Sequence, residues 1–352
     1  MFPGMDRATK SVGAQHRRVP LRCIAGHMIV FFCAVLCVSA GAIVRADDNL
    51  ESGRQAYEIS DYPKAIQLLQ QAASEDPKNP EIFLLLAKSF NELQQHDQAI
   101  ASAEKAVALS PQNSVYHEWL GRAYGEKAEH AGPFSGMSLA KKTQKEFDTA
   151  VHLDEKNYSA RQALIEYDCS APGIVGGGED KAVPQIARLT ELDAAEGHYA
   201  AGNCRRQKKD FASADAEFTK ALDSKPKSAN LIYDIGDYAM KHNQPDRLLA
   251  VADQGEAVAP SDPRGKFYRA VALIIKKNNT AQPETLLREY LKTAPTRNGY
   301  PRPREAHEWL GRYYENQNKP QAAIAEYEAA LKLDPKSHTA SDAIKRLRKS
   351  EP

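Results

Sequence analysis

The chain has 352 residues, 42% hydrophobic and 26% charged, which is ordinary for a soluble globular protein. Its formal charge of +1 conceals a split: residues 1–46 carry six Lys/Arg and one Asp, leaving 41 basic and 45 acidic residues in the remainder. That balance, net −4, has no basic footprint of the kind that nucleic acid selects.

At the N-terminus, Arg7, Lys10, Arg17, Arg18 and Arg22 form a positive region, and Ile24 to Val44 follow without an Asp, Glu, Lys or Arg. This is the layout of a targeting segment. Small-residue cleavage patterns stand at Ala40-Gly41-Ala42 and Val44-Arg45-Ala46, and cleavage after Ala46 agrees with the start of the pattern described next. The alternative is an uncleaved anchor, because the uncharged stretch is long enough to span a bilayer. Arg17-Arg18 has poor flanks for a twin-arginine signal, and an ordinary Sec signal fits better. Cys23, Cys33 and Cys37 lie in this segment, none with the small residue directly before it that a lipoprotein signal requires. The remainder is expected outside the cytoplasm, periplasmic or in the cell envelope, touching membrane only if the segment stays uncleaved.

From residue 46 a spaced pattern recurs about every 34 residues, a period that signals stacked helical hairpins. Its clearest copies are Gly53, Asp61-Tyr62, Ala65, Leu69, Ala72 and Asp76-Pro77, and Leu310-Gly311, Tyr314, Ala323, Tyr327, Ala330 and Asp334-Pro335. Antiparallel helices approach closely only where side chains are small, hence Gly53, Ala87, Gly121, Gly202, Gly236 and Gly311 on first helices and Ala65, Ala99, Ala214 and Ala323 facing them. Leu86, Phe90, Leu120, Tyr124, Phe147, Phe218 and Tyr327 fill the space between such contacts. Pro77, Pro111, Pro226, Pro260 and Pro335 end the second helices, since proline cannot continue one.

The pattern resembles the tetratricopeptide-repeat family. Eight units follow, at 46–79, 80–113, 114–157, 158–194, 195–228, 229–262, 263–303 and 304–337, with weak second-helix matching in the sixth (Leu248 and Gly255 replace alanines) and the poorest match in the seventh. The resemblance implies an all-α, right-handed superhelical solenoid whose first helices line a concave groove. Residues 338–352, with Ala340, Ile344 and Leu347 on one stripe and Lys345, Arg346, Arg348 and Lys349 elsewhere, read as the capping helix such an array needs. No linker separates the units, so 47–337 form one elongated domain.

Two features exceed the generic repeat. The hexapeptide His-Glu-Trp-Leu-Gly-Arg occurs at 117–122 and again at 307–312. In the family, the positions of Trp119 and Trp309 face the groove, and Arg122 and Arg312 follow three residues later on the same helical face. Either the pairs form aromatic–guanidinium platforms for an extended peptide, an acidic group or a sugar-like group, or each Trp packs on the adjacent repeat while Glu118–Arg122 and Glu308–Arg312 form surface pairs. The second feature is a pair of insertions in the helix-to-helix turns of adjacent units: about ten residues around Gly132 to Met137 in the third, and about five within Ala171 to Gly178 in the fourth. Such insertions often mark a binding face. Phe134, Ile174 and Val175 are therefore candidate partner contacts on a rim. With Tyr116, His117 and Trp119, this region resembles a group of exported bacterial tetratricopeptide proteins without an assigned activity.

Cys169 and Cys204 fall near the ends of neighbouring first helices, and either form a disulfide or stay as two buried thiols. The glycine run lacks the strand and the Lys-Ser/Thr of a phosphate loop. Glu179-Asp180 follow it instead, so a compact turn folded on the neighbouring repeat is expected. No metal-ligand spacing and no nucleophile elbow stand out, and neither a cofactor nor enzymatic activity is expected. Where chaperone-binding relatives clamp a peptide carboxylate with Lys, Asn, Lys and Arg, the sixth unit offers Tyr233, Asp234 and Asp237, and Tyr233 joins the candidate groove residues. The expected function is a binding scaffold docking a protein or peptide partner. Recognition of an envelope polysaccharide or its synthesis or export machinery is the alternative, with an accessory subunit of an envelope enzyme as a third reading.

Overall fold

The computed structural model describes residues 48–297 and 299–349; the targeting segment with its cleavage site, Asn298 and the last three residues lie outside the described residues. The described residues form helices joined by short turns, with no strand among them. Four hairpins come first: α1 (48–58) with α2 (Tyr62–Glu75), α3 (Pro80–Glu92) with α4 (His96–Leu109), α5 (Ser114–Glu129) with α6 (Pro133–Leu153), and α7 (Tyr158–Ser170) with α8 (Glu179–Leu192). Four more follow: α9 (Ala194–Gln207) with α10 (Phe211–Asp223), α11 (Ala229–Lys241) with α12 (Pro245–Val258), α13 (Arg264–Ile275) with α14 (Gln282–Thr293), and α15 (Pro303–Asn316) with α16 (Pro320–Leu333). Helix α17 (His338–Lys349) closes the array.

The hairpins repeat for local reasons. Asn79, Asn113 and Asn157 accept backbone N–H bonds at the starts of α3, α5 and α7, and Asp193 does the same for α9. In six hairpins the turn between helices passes through one left-handed residue: Ser60, Gln94, Lys209, Asn243, Lys277 or Asn318. The N–H of the next residue then returns to a carbonyl five residues earlier, as in Gln95 to Phe90 at 2.9 Å and Gln244 to Ala239 at 2.9 Å. The third and fourth hairpins lack this turn; they carry the insertions.

Packing follows the small-to-large complementarity expected of the sequence. A Cβ added at Gly202 would lie 2.6 Å from the Phe218 ring, and one at Gly311 would lie 2.6 Å from Tyr327. Phe218 and Tyr327 are each 1% exposed, so the aromatic ring of the second helix fills the space the glycine leaves. First helices from α3 onward also touch the next first helix along, giving a continuous inner layer. At the end, Ala340, Ala343 and Ile344 bury against the last hairpin, while Arg346 and Arg348 pair outward with Glu315 and Glu328. Two cations of the cap's basic run are thus neutralised by the unit it covers.

The insertions correct one expectation. That of the third unit is no loop: it is absorbed as extra helix, so α6 runs for 21 residues where α2 and α4 run for 14. Pro133 starts the added turns, where a missing N–H costs nothing. The insertion of the fourth unit forms a single 3-10 turn, Gly173–Val175, followed by the glycine run. Gln144 of α6 donates to the Gly176 carbonyl at 2.9 Å, so the run does fold back on the neighbouring repeat.

The array also returns on itself. Ser60 and Tyr62, in the turn of the first hairpin, line one wall of a cavity of about 680 Å³ whose other wall includes Arg297, Tyr300 and Arg302, ahead of α15.

Candidate functional site

The inner layer is built on a brace that recurs three times. His117, His198 and His307 each place Nδ1 against a carboxylate of the paired helix: Glu146 at 2.6 Å, Glu217 at 2.7 Å and Glu326 at 2.7 Å. Each histidine lies four residues before the glycine of its helix, and each glutamate directly precedes the buried aromatic that the glycine admits. Sequence reasoning singles out two of these histidines through the hexapeptide and misses the third. The signal is present as His-x-x-x-Gly followed by Glu-Phe or Glu-Tyr.

The brace fixes the rotation of α5 and α15 and so the outlook of both tryptophans, which are half-buried. Over the Trp119 ring lie the Lys88 ammonium at 4.7 Å and the Arg122 guanidinium at 5.6 Å from the ring centre. Burial among these groups lowers Lys88, with Glu118 opposing. Glu118, only 4% exposed, accepts from Arg122 at 3.0 Å, from Ser159 at 2.6 Å and from Asn157 at 3.2 Å. The expected surface pair exists here, and the platform exists as well.

The second hexapeptide is arranged differently. Arg312 covers Trp309 at 4.6 Å, and Trp309 packs against the core beneath it. Glu308 is turned away, accepting from Arg304 at 2.7 Å and from Ser337 at 2.6 Å. The predicted Glu308–Arg312 pair does not form. The cause is one turn upstream: Arg304 stands where the first copy has Ser114, and here the arginine four residues before the glutamate outcompetes the one four residues after it. Trp309 and Arg312 open onto a cavity of about 310 Å³, with Lys277, Ile274, Glu315 and Arg346 in its wall.

Between the two platforms the layer is acidic. Burial and the neighbouring Asp193 push Glu196 up to about 7, and Asp234 and Asp237 add two exposed carboxylates. Tyr199 donates to Asp234 at 3.3 Å, and Tyr268 donates to Asp237 at 2.6 Å.

Tyr233 is a correction. It is 1% exposed and stacked on Tyr268, so it presents no surface to a partner. Its ring reaches the paired helix, where a Cβ on Gly255 would lie 2.4 Å from it. That contact explains a departure seen in the sequence: glycine replaces alanine at 255 because a tyrosine needs the space. The Arg264 guanidinium, 3% exposed and paired with Asp262 at 2.6 Å, lies between the rings of Tyr233 and Tyr300 at 4.4 Å from each. Nothing in the sequence marks that sandwich, whose members are far apart along the chain.

The rim residues separate. Phe134 is 91% exposed and Ile174 69% exposed, whereas Val175 is 6% exposed and its carbonyl accepts from Tyr167 at 2.7 Å. Val175 seals the turn and offers no contact. Ile174 borders an apolar cavity of about 380 Å³, walled by Met137 and Ala140 of α6 and by Tyr167, Ala171 and Pro172, so the two insertions do meet. Cys169 and Cys204 are bridged, with Cα atoms 5.6 Å apart. Beside the bridge Asp168, 3% exposed, leaves its Oδ1 without a hydrogen-bond partner, and burial followed by Asp148 pushes it up to about 7.

Comparison with known proteins supplies the frame for this geometry. Three family profiles described as tetratricopeptide repeat match residues 56–123, 195–228 and 304–337. Among curated relatives, the small glutamine-rich tetratricopeptide repeat-containing protein 2 of Saccharomyces cerevisiae is 26% identical over 159 residues, covering 45% of this chain and 43% of the relative. The heat-shock protein cognate (HSC) co-chaperone sgt12 of Aspergillus fumigatus is 29% identical over 170 residues, covering 45% and 49%. The chain thus spans less than half the length of either relative. A solved thermophilic tetratricopeptide-repeat protein of Thermus thermophilus is 21% identical, with 53% of this chain and 94% of that one covered at a TM-score of 0.44. Repeats of this kind generally mediate contacts between proteins and are typically not catalytic. With its hairpins in register and the family profiles falling on its first two units, the start of the third, the fifth and the eighth, the chain belongs to the tetratricopeptide-repeat family.

Proposed function

We propose that the protein is a non-enzymatic docking scaffold exported to the bacterial cell envelope, receiving an extended segment of a protein partner along the first-helix layer. The observation that carries this reading is the pair of cation-covered tryptophans, Trp119 and Trp309, on the first helices of the third and eighth units of one continuous layer. Aromatic faces held by cations give large contact area with few side-chain rotors to immobilise, the property of residues that dominate binding energy. Export is supported by the charge layout of residues 1–46 and by the Cys169–Cys204 bridge, a bond that persists in oxidising compartments.

A pull-down from envelope extract with residues 47–352 tests the proposal, repeated with Trp119→Ala, Trp309→Ala and the double variant. Protein partners retained by the wild type and lost from the variants support docking on this layer. Retention of every partner by the double variant overturns it. A glycan array run beside the pull-down tests the polysaccharide alternative, which gains if glycans bind and proteins do not.

A further inference from the structure

The two hexapeptides are identical in sequence and different in charge state of their surroundings, and the difference points to a ligand. In the first copy the Arg122 guanidinium is satisfied within the protein by Glu118 and Ser159. In the second, Arg304 and Ser337 hold Glu308, and no carboxylate lies within ion-pair distance of Arg312 among the described residues. Arg312 is nevertheless held in place, because its guanidinium stacks on Trp309 at 4.6 Å. Stacking occupies the face of the guanidinium and leaves the N–H donors on its edge free for bidentate contact.

The rest of the cavity has the same sign. Lys277, at the left-handed turn with φ 55°, adds a second cation without a carboxylate partner among the described residues. Glu315 is already engaged, by Arg346 at 2.5 Å and by the Tyr327 hydroxyl at 2.6 Å. Ile274, Ile275 and Ala343 supply apolar wall between the cations. An excess of positive charge around an apolar floor suits a carboxylate flanked by an aliphatic side chain.

Resting on the docking reading above, we infer that the pocket formed by Trp309, Arg312 and Lys277 takes an acidic segment of the partner protein, with a carboxylate on the edge of Arg312. The first copy, where Glu118 fills the equivalent role internally, contributes aromatic surface and no such charge site.

A labelled peptide of about ten residues rich in Glu and Leu serves as probe, with Gln-for-Glu and Lys-for-Glu counterparts, on residues 47–352 at low ionic strength. Saturable binding of the Glu peptide is expected, weakened about tenfold or more by Arg312→Gln and by Lys277→Gln at unchanged melting temperature. Arg348→Gln, outside the pocket, is expected to leave it within about twofold. Equal binding of the Gln or Lys peptide, or no effect of Arg312→Gln, overturns the inference. If the Gln or Lys peptide binds and Trp309→Ala abolishes it, docking stands and only the acidic preference falls. Absence of binding by all three peptides counts against docking itself. Displacement of the Glu peptide by inorganic phosphate at concentrations where acetate is inert assigns the pocket to phosphate and overturns the carboxylate reading.

Discussion

Cys169 of α7 and Cys204 of α9 are joined across the packing interface of the fourth and fifth units, 35 positions apart in sequence. A crosslink over a loop of that length removes chain entropy from the unfolded state, worth about 3–4 kcal/mol on the loop-closure model. Replacing both cysteines by serine should lower the urea midpoint accordingly, and reductant should lower the wild type but not the double variant. Thiol labelling of the denatured, unreduced protein should find neither cysteine; labelling of both would rule out the bridge.

Asp168 predicts how stability varies with pH. Its folded-state value near 7 lies above that of an unfolded aspartate, so folding favours the neutral form. The stabilising contribution is therefore complete below about pH 4 and is lost as pH rises through 7. Glu196, raised to about 7, acts in the same direction. Wild-type stability should fall between pH 5 and pH 8 as measured by denaturant unfolding, and Asp168→Asn should shrink that fall by roughly 2–4 kcal/mol. An identical pH profile in the variant would contradict the burial argument.

Glycines on the first helices should respond oppositely to one methyl group. At Gly311 the new Cβ would meet the Tyr327 ring at 2.6 Å, and Tyr327 is fully packed and cannot withdraw. Gly311→Ala should cost about 1–2 kcal/mol net, overpacking exceeding the gain in helix propensity. At Gly125 the nearest atom would be Thr143 at 3.5 Å, an ordinary contact. Gly125→Ala should stabilise by about 0.5–1 kcal/mol. Thermal melts of the two variants moving in the same direction would refute the close-contact explanation.

On the rim, Phe134→Ala should change the unfolding free energy by less than about 0.5 kcal/mol, since the ring is almost wholly in solvent. Val175→Ala should cost about 1–2 kcal/mol, because it empties space under the Gly173–Val175 turn. If Phe134→Ala alone weakens partner capture, the rim belongs to the interface; if neither variant changes capture, docking is confined to the first-helix layer.

The repeat is legible because its rule is local: Gly202 with Phe218, or Gly311 with Tyr327, are small-to-large pairs at fixed spacing, and side-chain volume alone reveals them. The insertion of the third unit reads as a loop because Gly132-Pro133 looks like a break, whereas proline at the first helical position starts α6. Tyr233 reads as a groove residue because it falls where chaperone-binding relatives carry a clamp residue, a match of position that does not tell how far a tyrosine reaches, here to Gly255. The divergence of the twin hexapeptides lies outside the motif itself, in Arg304 against Ser114, and only three-dimensional pairing shows which carboxylate each arginine keeps.

Covalent closure of the α7–α9 junction has a mechanical consequence. A stacked array changes shape by small rotations shared among its junctions. With the central junction held by the bridge, those rotations fall to the junctions on either side, and the first three and last three units act as two arms on a stiff hub. Tyr62, in the turn of the first hairpin, and Arg302, between the seventh and eighth, line the 680 Å³ cavity from the two arms. A pair of spin labels at Ser60 and Thr296 should show a broader distance distribution once the bridge is reduced, and an unchanged one would count against the hub. Because both positions lie several units away from it, a few degrees at each flanking junction would translate into ångströms of opening there, and the bridge would set the resting width of the gap.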